Sequence, residues 1–208
     1  MLTCAGNSNW QQHWARPDEF HGSSNTWAYF EVKQLDVQMR YRWYKMNIFI
    51  RWLAPTKQTI ILAFDTRSPI TERIPGSLQD PGSNSLGDPF WVYARLAADL
   101  VDLQDSAVWA IRNKVRAIET ERKPIGKPQP DYRHLHDVAR HAIHVSESLN
   151  VATETMEGIL VQHNNFLSQN FPFQKTNTDT SEDIHRQLLF CKDMLSSLRH
   201  RHFPLRSL

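Results

Sequence analysis

Histidines and carboxylates are concentrated in one stretch of the sequence, and residues of these types can bind a metal ion. Five of the ten histidines fall between His134 and His163. Within this stretch, Asp137, His141 and His144 follow one another at steps of four and three, so they share one flank of a helix. Imidazole and carboxylate groups on one helical flank can hold a divalent ion. The same spacing also suits a solvated flank on which Asp137 and His141 form an ordinary side-chain pair.

Carboxylates in the same stretch offer a second possible metal site. Residues 131–170 hold five carboxylates against two arginines, which gives a local net charge of −3. Hard divalent ions such as Mg²⁺ prefer oxygen ligands, and a site with few ligands and little rigidity binds them weakly. We therefore expect weak binding of Mg²⁺ or another divalent cation by an oxygen-led set, Asp137, Glu147, Glu154 and Glu157. The histidine-led set is the rival, and it would favour Zn²⁺ or Ni²⁺.

Sequence signatures of catalysis are absent. The chain has no Gly-x-Ser-x-Gly elbow, no glycine-rich phosphate loop and no His-Glu-x-x-His zinc motif. Cys191 could act as a nucleophile with His185 nearby, but it lies on an apolar helix face, where a buried and inert thiol is expected. Cys4 is far from it in sequence, and the spacing indicates two reduced thiols rather than a disulfide framework. We expect that the chain is not an enzyme.

Charge and hydropathy exclude two further classes of protein. The formal net charge is +2 and the basic residues are scattered, whereas nucleic-acid-binding proteins usually concentrate them on one face. The longest apolar run, residues 60–64, is far shorter than the roughly 20 residues of a spanning helix. The first ten residues are polar and do not form a signal peptide. We expect a soluble chain that neither binds nucleic acid nor spans a membrane.

The first part of the chain is predicted to form a small sheet. Residues 1–25 are polar and predict a flexible N-terminal arm. Aromatic and β-branched residues then predict strands over residues 26–32, 45–52 and 58–64, the last two joined as a hairpin by a Pro-containing turn. Residues 65–87 predict a long surface loop, because they are rich in Pro, Gly and Ser.

Three long amphipathic helices are predicted after the loop. Asp88 and Pro89 form a favourable helix start. The apolar stripe of the first helix is Leu96, Leu100, Leu103, Ala107, Ile111, Val115 and Ile118. The second has an a/d heptad stripe of Leu135, Val138, Ala142, Val145, Leu149, Ala152, Met156 and Ile159. After a capping box at Thr180 and Asp183, the third repeats the heptad at Ile184, Leu188, Cys191, Leu195 and Leu198.

Together these elements predict an α+β fold, with a small mixed sheet followed by long amphipathic helices. One domain would span residues 26–208, with its sheet in 26–87 and its helices in 88–208. The two heptad helices are expected to pack against each other as an antiparallel pair, because a polar loop joins them.

Several short motifs follow one another along the chain. The sheet region contains Trp43-Tyr44-Lys45-Met46, Arg51-Trp52 and Ile61-Leu62-Ala63-Phe64-Asp65. The helical region contains Asp88-Pro89-Phe90 and Asp105-Ser106-x-Val108-Trp109-x-x-Arg112-x-x-Val115-Arg116-x-x-Glu119. It continues with Leu135-His136-Asp137-x-Ala139-Arg140-His141-Ala142-Ile143-His144-x-x-Glu147-x-Leu149-x-Val151-Ala152. In this order, over about residues 43–200, the motifs resemble fungal members of the CorA-like divalent metal-ion transporter family.

The resemblance implies the cytoplasmic part of a magnesium or divalent metal-ion transporter, truncated before the pore. It also implies self-association, since that family assembles as a pentamer, and regulation by divalent cations on the cytoplasmic side of a membrane. The chain holds neither the family's two transmembrane helices nor its Gly-Met-Asn motif. The alternative is a soluble helical protein–protein interaction domain unrelated to metals, which would bind its partner through the heptad face.

Overall fold

The chain forms a four-stranded sheet followed by helices. The computed structural model describes residues 10–14, 23–35, 40–66, 70–79, 85–120, 132–170 and 178–202. The strands are β1 (Trp10–Trp14), β2 (Ser23–Leu35), β3 (Tyr41–Leu53) and β4 (Gln58–Phe64). The helices are α1 (Ile70–Ser77), α2 (Trp91–Thr120), α3 (Tyr132–Asn170) and α4 (Thr178–His202), with a single 3₁₀ turn at Ser85–Gly87.

The sheet is a meander in which neighbours in sequence are neighbours in space. Its strand order is β1-β2-β3-β4, and each of the three pairs is antiparallel. The turn at residues 54–57 joins β3 to β4 as predicted. The α+β class is confirmed, but these strands form an antiparallel sheet rather than a mixed one. The reason is that short connections between consecutive strands allow only antiparallel pairing.

Alternation along the strands places one face of the sheet against α2. The buried face is formed by Ala28, Phe30 and Val32 of β2 and by Met46, Ile48, Ile50 and Trp52 of β3. Polar contacts fix α2 on this face. Tyr93 donates its hydroxyl to Thr26 Oγ1 at 2.9 Å, and the Gln104 side chain donates to the Glu31 carbonyl at 3.2 Å. The period of two in these strands therefore determines which side of the sheet α2 covers.

The two heptad helices pack against each other and against α2. The predicted stripes are buried in α3 from Val138 to Ile159 and in α4 from Ile184 to Leu198. Leu135 departs from the prediction and is 40% exposed, so the buried stripe of α3 begins at Val138. The capping box is wrong as well. Helix α4 begins at Thr178, which places Thr180 inside the first turn rather than at the cap.

Two short elements lie where irregular structure was predicted. Strand β1 falls within the segment predicted as a flexible arm and pairs with β2 from Trp10 opposite Ala28 to Trp14 opposite Ser24. The rest of residues 1–22 lies outside the described residues. Helix α1 replaces part of the predicted loop, despite Pro75 within it, because Ile70 is buried against the core. Tertiary packing outweighs the weak local preference at both places.

Within the described ranges, no helix is both long and apolar enough to cross a bilayer.

Candidate functional site

One polar cluster lies where the end of the hairpin at which β2 leads into β3 meets α3. Lys33 of β2 is only 2% exposed, and its Nζ donates a hydrogen bond to Nδ1 of His144 on α3. The same Nζ lies 4.4 Å from the ring centre of Tyr41 and 5.2 Å from that of Trp43. Cross-strand pairing places these rings here. Lys33 lies opposite Trp43, and Leu35, two residues further along the same face, lies opposite Tyr41. We call Lys33, Tyr41, Trp43, His141 and His144 the lysine cluster.

The second histidine of this cluster is buried without a hydrogen-bond partner. His141 is 3% exposed, its ring lies 5.3 Å from that of Tyr41, and its Nδ1 has no partner. Burial, followed by the charge of Lys33, lowers the pKa of His141 to about 4. Burial and Lys33 also lower the pKa of His144. Both imidazoles are therefore neutral near pH 7.

The lysine itself is held in surroundings that disfavour its charge. Burial, and then the neighbouring Arg140, lower the pKa of Lys33, while Glu147 acts in the opposite direction. Among the described residues, no carboxylate forms an ion pair with Lys33. The cluster thus combines a buried amine, two imidazoles and two aromatic rings with no acidic group in direct contact.

The predicted metal ligands are not brought together. Asp137 pairs with Arg140 at 3.0 Å rather than with His141, and the Nδ1 atom of His144 is engaged by Lys33. Glu147, Glu154 and Glu157 are exposed on α3. In the part of the chain that the structure describes, no three His, Cys, Asp or Glu side chains form a group that could hold a metal ion. Neither predicted ligand set gains support, and both stay predictions.

A second polar cluster joins three helices in the interior. His163 of α3 places Nε2 at 2.9 Å from Oδ2 of Asp88, which precedes α2. Its Nδ1 lies 3.2 Å from Nδ1 of His185 on α4. The side chains of His163 and Asp88 are 0% and 1% exposed, and His185 is half-buried. Burial, followed by His163, lowers the pKa of His185, while Asp88 opposes them.

Aromatic rings and the start of α2 complete the surroundings of this buried pair. The second carboxylate oxygen of Asp88 accepts the Phe90 backbone N–H at 2.8 Å, as predicted for a residue that caps α2. The ring of Phe90 lies 5.1 Å from that of His163, and Phe166 stacks on His163 with ring centres 6.2 Å apart. The interior is therefore apolar around a fully hydrogen-bonded carboxylate.

Sequence reasoning missed this second cluster. Asp88 was interpreted only as a helix cap, and His163 only as one member of a histidine-rich stretch. The two lie 75 positions apart, so no local spacing could pair them. One signal was available: His163 stands four residues after the heptad position Ile159, on the buried side of α3. A histidine on that side needs a buried partner.

Cys191 behaves as the sequence suggested. It is buried in the stripe of α4, and burial followed by Asp102 raises the pKa of its thiol to about 11. A thiol that stays protonated near neutral pH is a poor nucleophile.

Comparison with known proteins gives one informative match. No family model matches the chain. The chain is 24% identical, over 192 residues, to notoamide biosynthesis cluster protein M′ of Aspergillus versicolor. The alignment covers 85% of this chain but 41% of that protein, so the chain spans less than half the length of the relative.

These comparisons overturn the prediction of a CorA-like transporter domain. The matching protein is named for a biosynthetic cluster and not for ion transport, and no family model supports the resemblance. Some of the motif residues that suggested it, such as Met46, Phe90 and Leu149, are buried in the core, where packing alone restricts residue type. The alternative, a helical domain that binds a partner through its heptad face, is not supported either, because that face is buried inside the fold.

Proposed function

We propose that this chain is a non-catalytic domain of a protein that serves a fungal secondary-metabolite pathway. The pathway assignment is supported by the relative, which is named as a biosynthesis cluster protein and aligns over 85% of this chain. Since the chain spans 41% of that protein, the proposal concerns the role of a domain and not a whole activity.

The observation that best supports a non-catalytic role is the enclosure of the Asp88–His163 pair. The two groups lie 2.9 Å apart, and both side chains are removed from solvent. Both oxygens of Asp88 already accept hydrogen bonds, one from His163 and one from the Phe90 backbone. A substrate could reach neither group without separating α2 from α3. The pair therefore joins helices instead of reacting.

Acid–base catalysis by the same cluster is the second candidate. With its proton on Nε2, His163 donates a hydrogen bond to Asp88, and its Nδ1 accepts a hydrogen bond from the Nδ1–H of His185. The Nε2 of the half-buried His185 would then be a base that is oriented through His163 by a carboxylate. This arrangement follows the logic of a nucleophile-activating triad, although the described residues place no nucleophile at His185.

One experiment in the native host separates the two candidates. The gene is deleted, and secondary metabolites are measured by liquid chromatography and mass spectrometry. We expect loss of at least one metabolite, and we expect restoration by the wild-type gene and by a His185→Gln variant. The matched control is Leu149→Ala, which should restore production only weakly, because a loss of about 2–5 kcal/mol of stability lowers the abundance of the protein.

Two outcomes would count against the proposal. An unchanged metabolite profile after deletion would contradict the pathway role. Failure of His185→Gln, with normal protein abundance and melting temperature, would favour the catalytic candidate. In that case the metabolite that accumulates would define the reaction class.

A further inference from the structure

The lysine cluster contains a buried ammonium group that an anion would neutralise. Lys33 is buried, with its hydrocarbon stem and its ammonium both removed from solvent, and the ammonium donates a hydrogen bond to a neutral imidazole. Buried cationic groups in proteins are ordinarily paired with a carboxylate or a bound anion. Here the charge of Glu147 acts on Lys33, but among the described residues no carboxylate forms an ion pair with it.

An unsatisfied nitrogen gives a second and independent sign of a missing ligand. Nδ1 of His141 is buried without a hydrogen-bond partner, and the residue is only 3% exposed, so bulk water does not satisfy this atom either. Such an atom in a folded protein usually marks an absent water, ion or ligand group. With its proton on Nδ1, this imidazole is a donor, as is the ammonium of Lys33. Tyr41 contacts both residues, with its ring 4.4 Å from Nζ and 5.3 Å from the imidazole.

The aromatic residue over the cluster also gives access to it. Tyr41 is 52% exposed, so rotation of its side chain would uncover Lys33 and His141. Tyr41 also borders an open groove of about 600 Å³, which Gln34 and Arg42 line on the opposite face of the hairpin from Lys33. Space beside Tyr41 is therefore available to the rest of a small molecule.

We propose that the lysine cluster is a binding site for the oxyanion group of a small molecule, a carboxylate or a phosphate. Lys33 would supply the charge and His141 a directional hydrogen bond. Arg140, whose charge already acts on both residues, would strengthen the attraction. The body of the molecule would stack on Tyr41. This site is independent of the Asp88–His163 junction and does not rest on the pathway assignment.

The test is thermal unfolding of the full chain in three salts at equal ionic strength: sodium phosphate, sodium benzoate and sodium chloride. An anion that binds only the native state raises the melting temperature, by about 3–6 °C at about ten times its Kd. We expect such a rise over chloride for at least one of the two oxyanions. A rise with phosphate alone indicates a phosphoryl ligand, and a rise with benzoate indicates an aromatic carboxylate.

Two variants locate the effect. Lys33→Met keeps the apolar stem and removes the charge, so it should abolish the rise. The matched control is Lys45→Met, an exposed lysine on the neighbouring strand, which should retain it. If Lys33→Met does not fold, His141→Gln replaces it, and the imidazole signals of His141 in the wild-type chain are followed by NMR during the titration. An equal rise in all variants, or no rise and no shift of the His141 signals, would overturn the proposal.

Discussion

His163 and Asp88 form a buried imidazole–carboxylate pair, 2.9 Å apart, that connects the middle helix of the bundle to the residue capping α2. Both groups lie among aromatic rings, so the pair is hydrogen-bonded but has no access to water. A buried pair of this kind contributes little net stability while it is intact, but it is costly to break. Its most direct consequence concerns substitution of the histidine.

Replacing His163 by leucine should destabilise the chain by about 3–5 kcal/mol, because Asp88 would remain buried without its partner. The control His136→Leu, on an exposed turn of the same helix, should change the free energy of unfolding by less than about 0.5 kcal/mol. Urea denaturation measures both. Addition of Asp88→Asn to His163→Leu should recover part of the loss, since it removes the unpaired charge. A loss below about 1 kcal/mol for His163→Leu would contradict a buried pair.

Two identical substitutions on α3 should differ widely in effect. Leu149→Ala removes a fully buried side chain and should cost about 2–5 kcal/mol. Leu135→Ala alters a side chain that is 40% exposed and should cost less than about 1 kcal/mol. Chemical denaturation of the two variants measures the difference. Equal costs would show that the stripe extends to Leu135, as the heptad alone predicts.

Acid should destabilise the native state as pH falls below 6.5. The pKa of His141 is lowered to about 4, and the pKa values of His144, His185 and His202 are lowered as well. The unfolded chain therefore binds more protons than the native chain between pH 6.5 and about 4, and linkage makes stability fall over that window. Melting temperatures at pH 7.5, 6.0 and 5.0 measure this. A His141→Gln variant should show a shallower dependence, and an unchanged slope would rule out the contribution of this residue.

The two predicted metal sets give opposite results with the same assay. If the oxygen-led set binds weakly, millimolar Mg²⁺ should raise the melting temperature slightly, and a Glu154→Gln, Glu157→Gln double variant should lose that rise. If the histidine-led set binds, micromolar Zn²⁺ should stabilise the chain, and His141→Ala should abolish the effect. No change with either ion would exclude both predicted sites.

The buried thiol of Cys191 should resist modification in the native state. Its pKa is raised to about 11, so little thiolate exists at pH 8, and the side chain is enclosed. In a Cys4→Ser background, iodoacetamide should label Cys191 much more slowly in buffer than in about 6 M urea, which unfolds the chain. Equally fast labelling in both would show an accessible and reactive thiol.

The sequence by itself predicted most of the secondary structure. The heptads of α3 and α4 and the alternation in β3 are local patterns. A helix or strand that buries one face repeats its apolar residues with its own period, whichever segment covers that face. The same patterns placed Leu149 and Leu188 in the core, where both are fully buried. Strand β1 and helix α1 could not be predicted in this way, because each is short and depends on packing against β2 or α2.

The two polar clusters were decided only by the tertiary structure. Lys33 and His144 are 111 positions apart, and His163 and Asp88 are 75 apart. The sequence marked His141 and His144 as chemically interesting because they share a helical flank, and it offered them as a rival metal-ligand set or as part of a solvated flank. Which group faces that flank depends on how β2 packs on α3. In the fold, β2 places the amine of Lys33 there. Periodicity determines which side of an element is buried, whereas the partner on that side is determined by packing between distant segments.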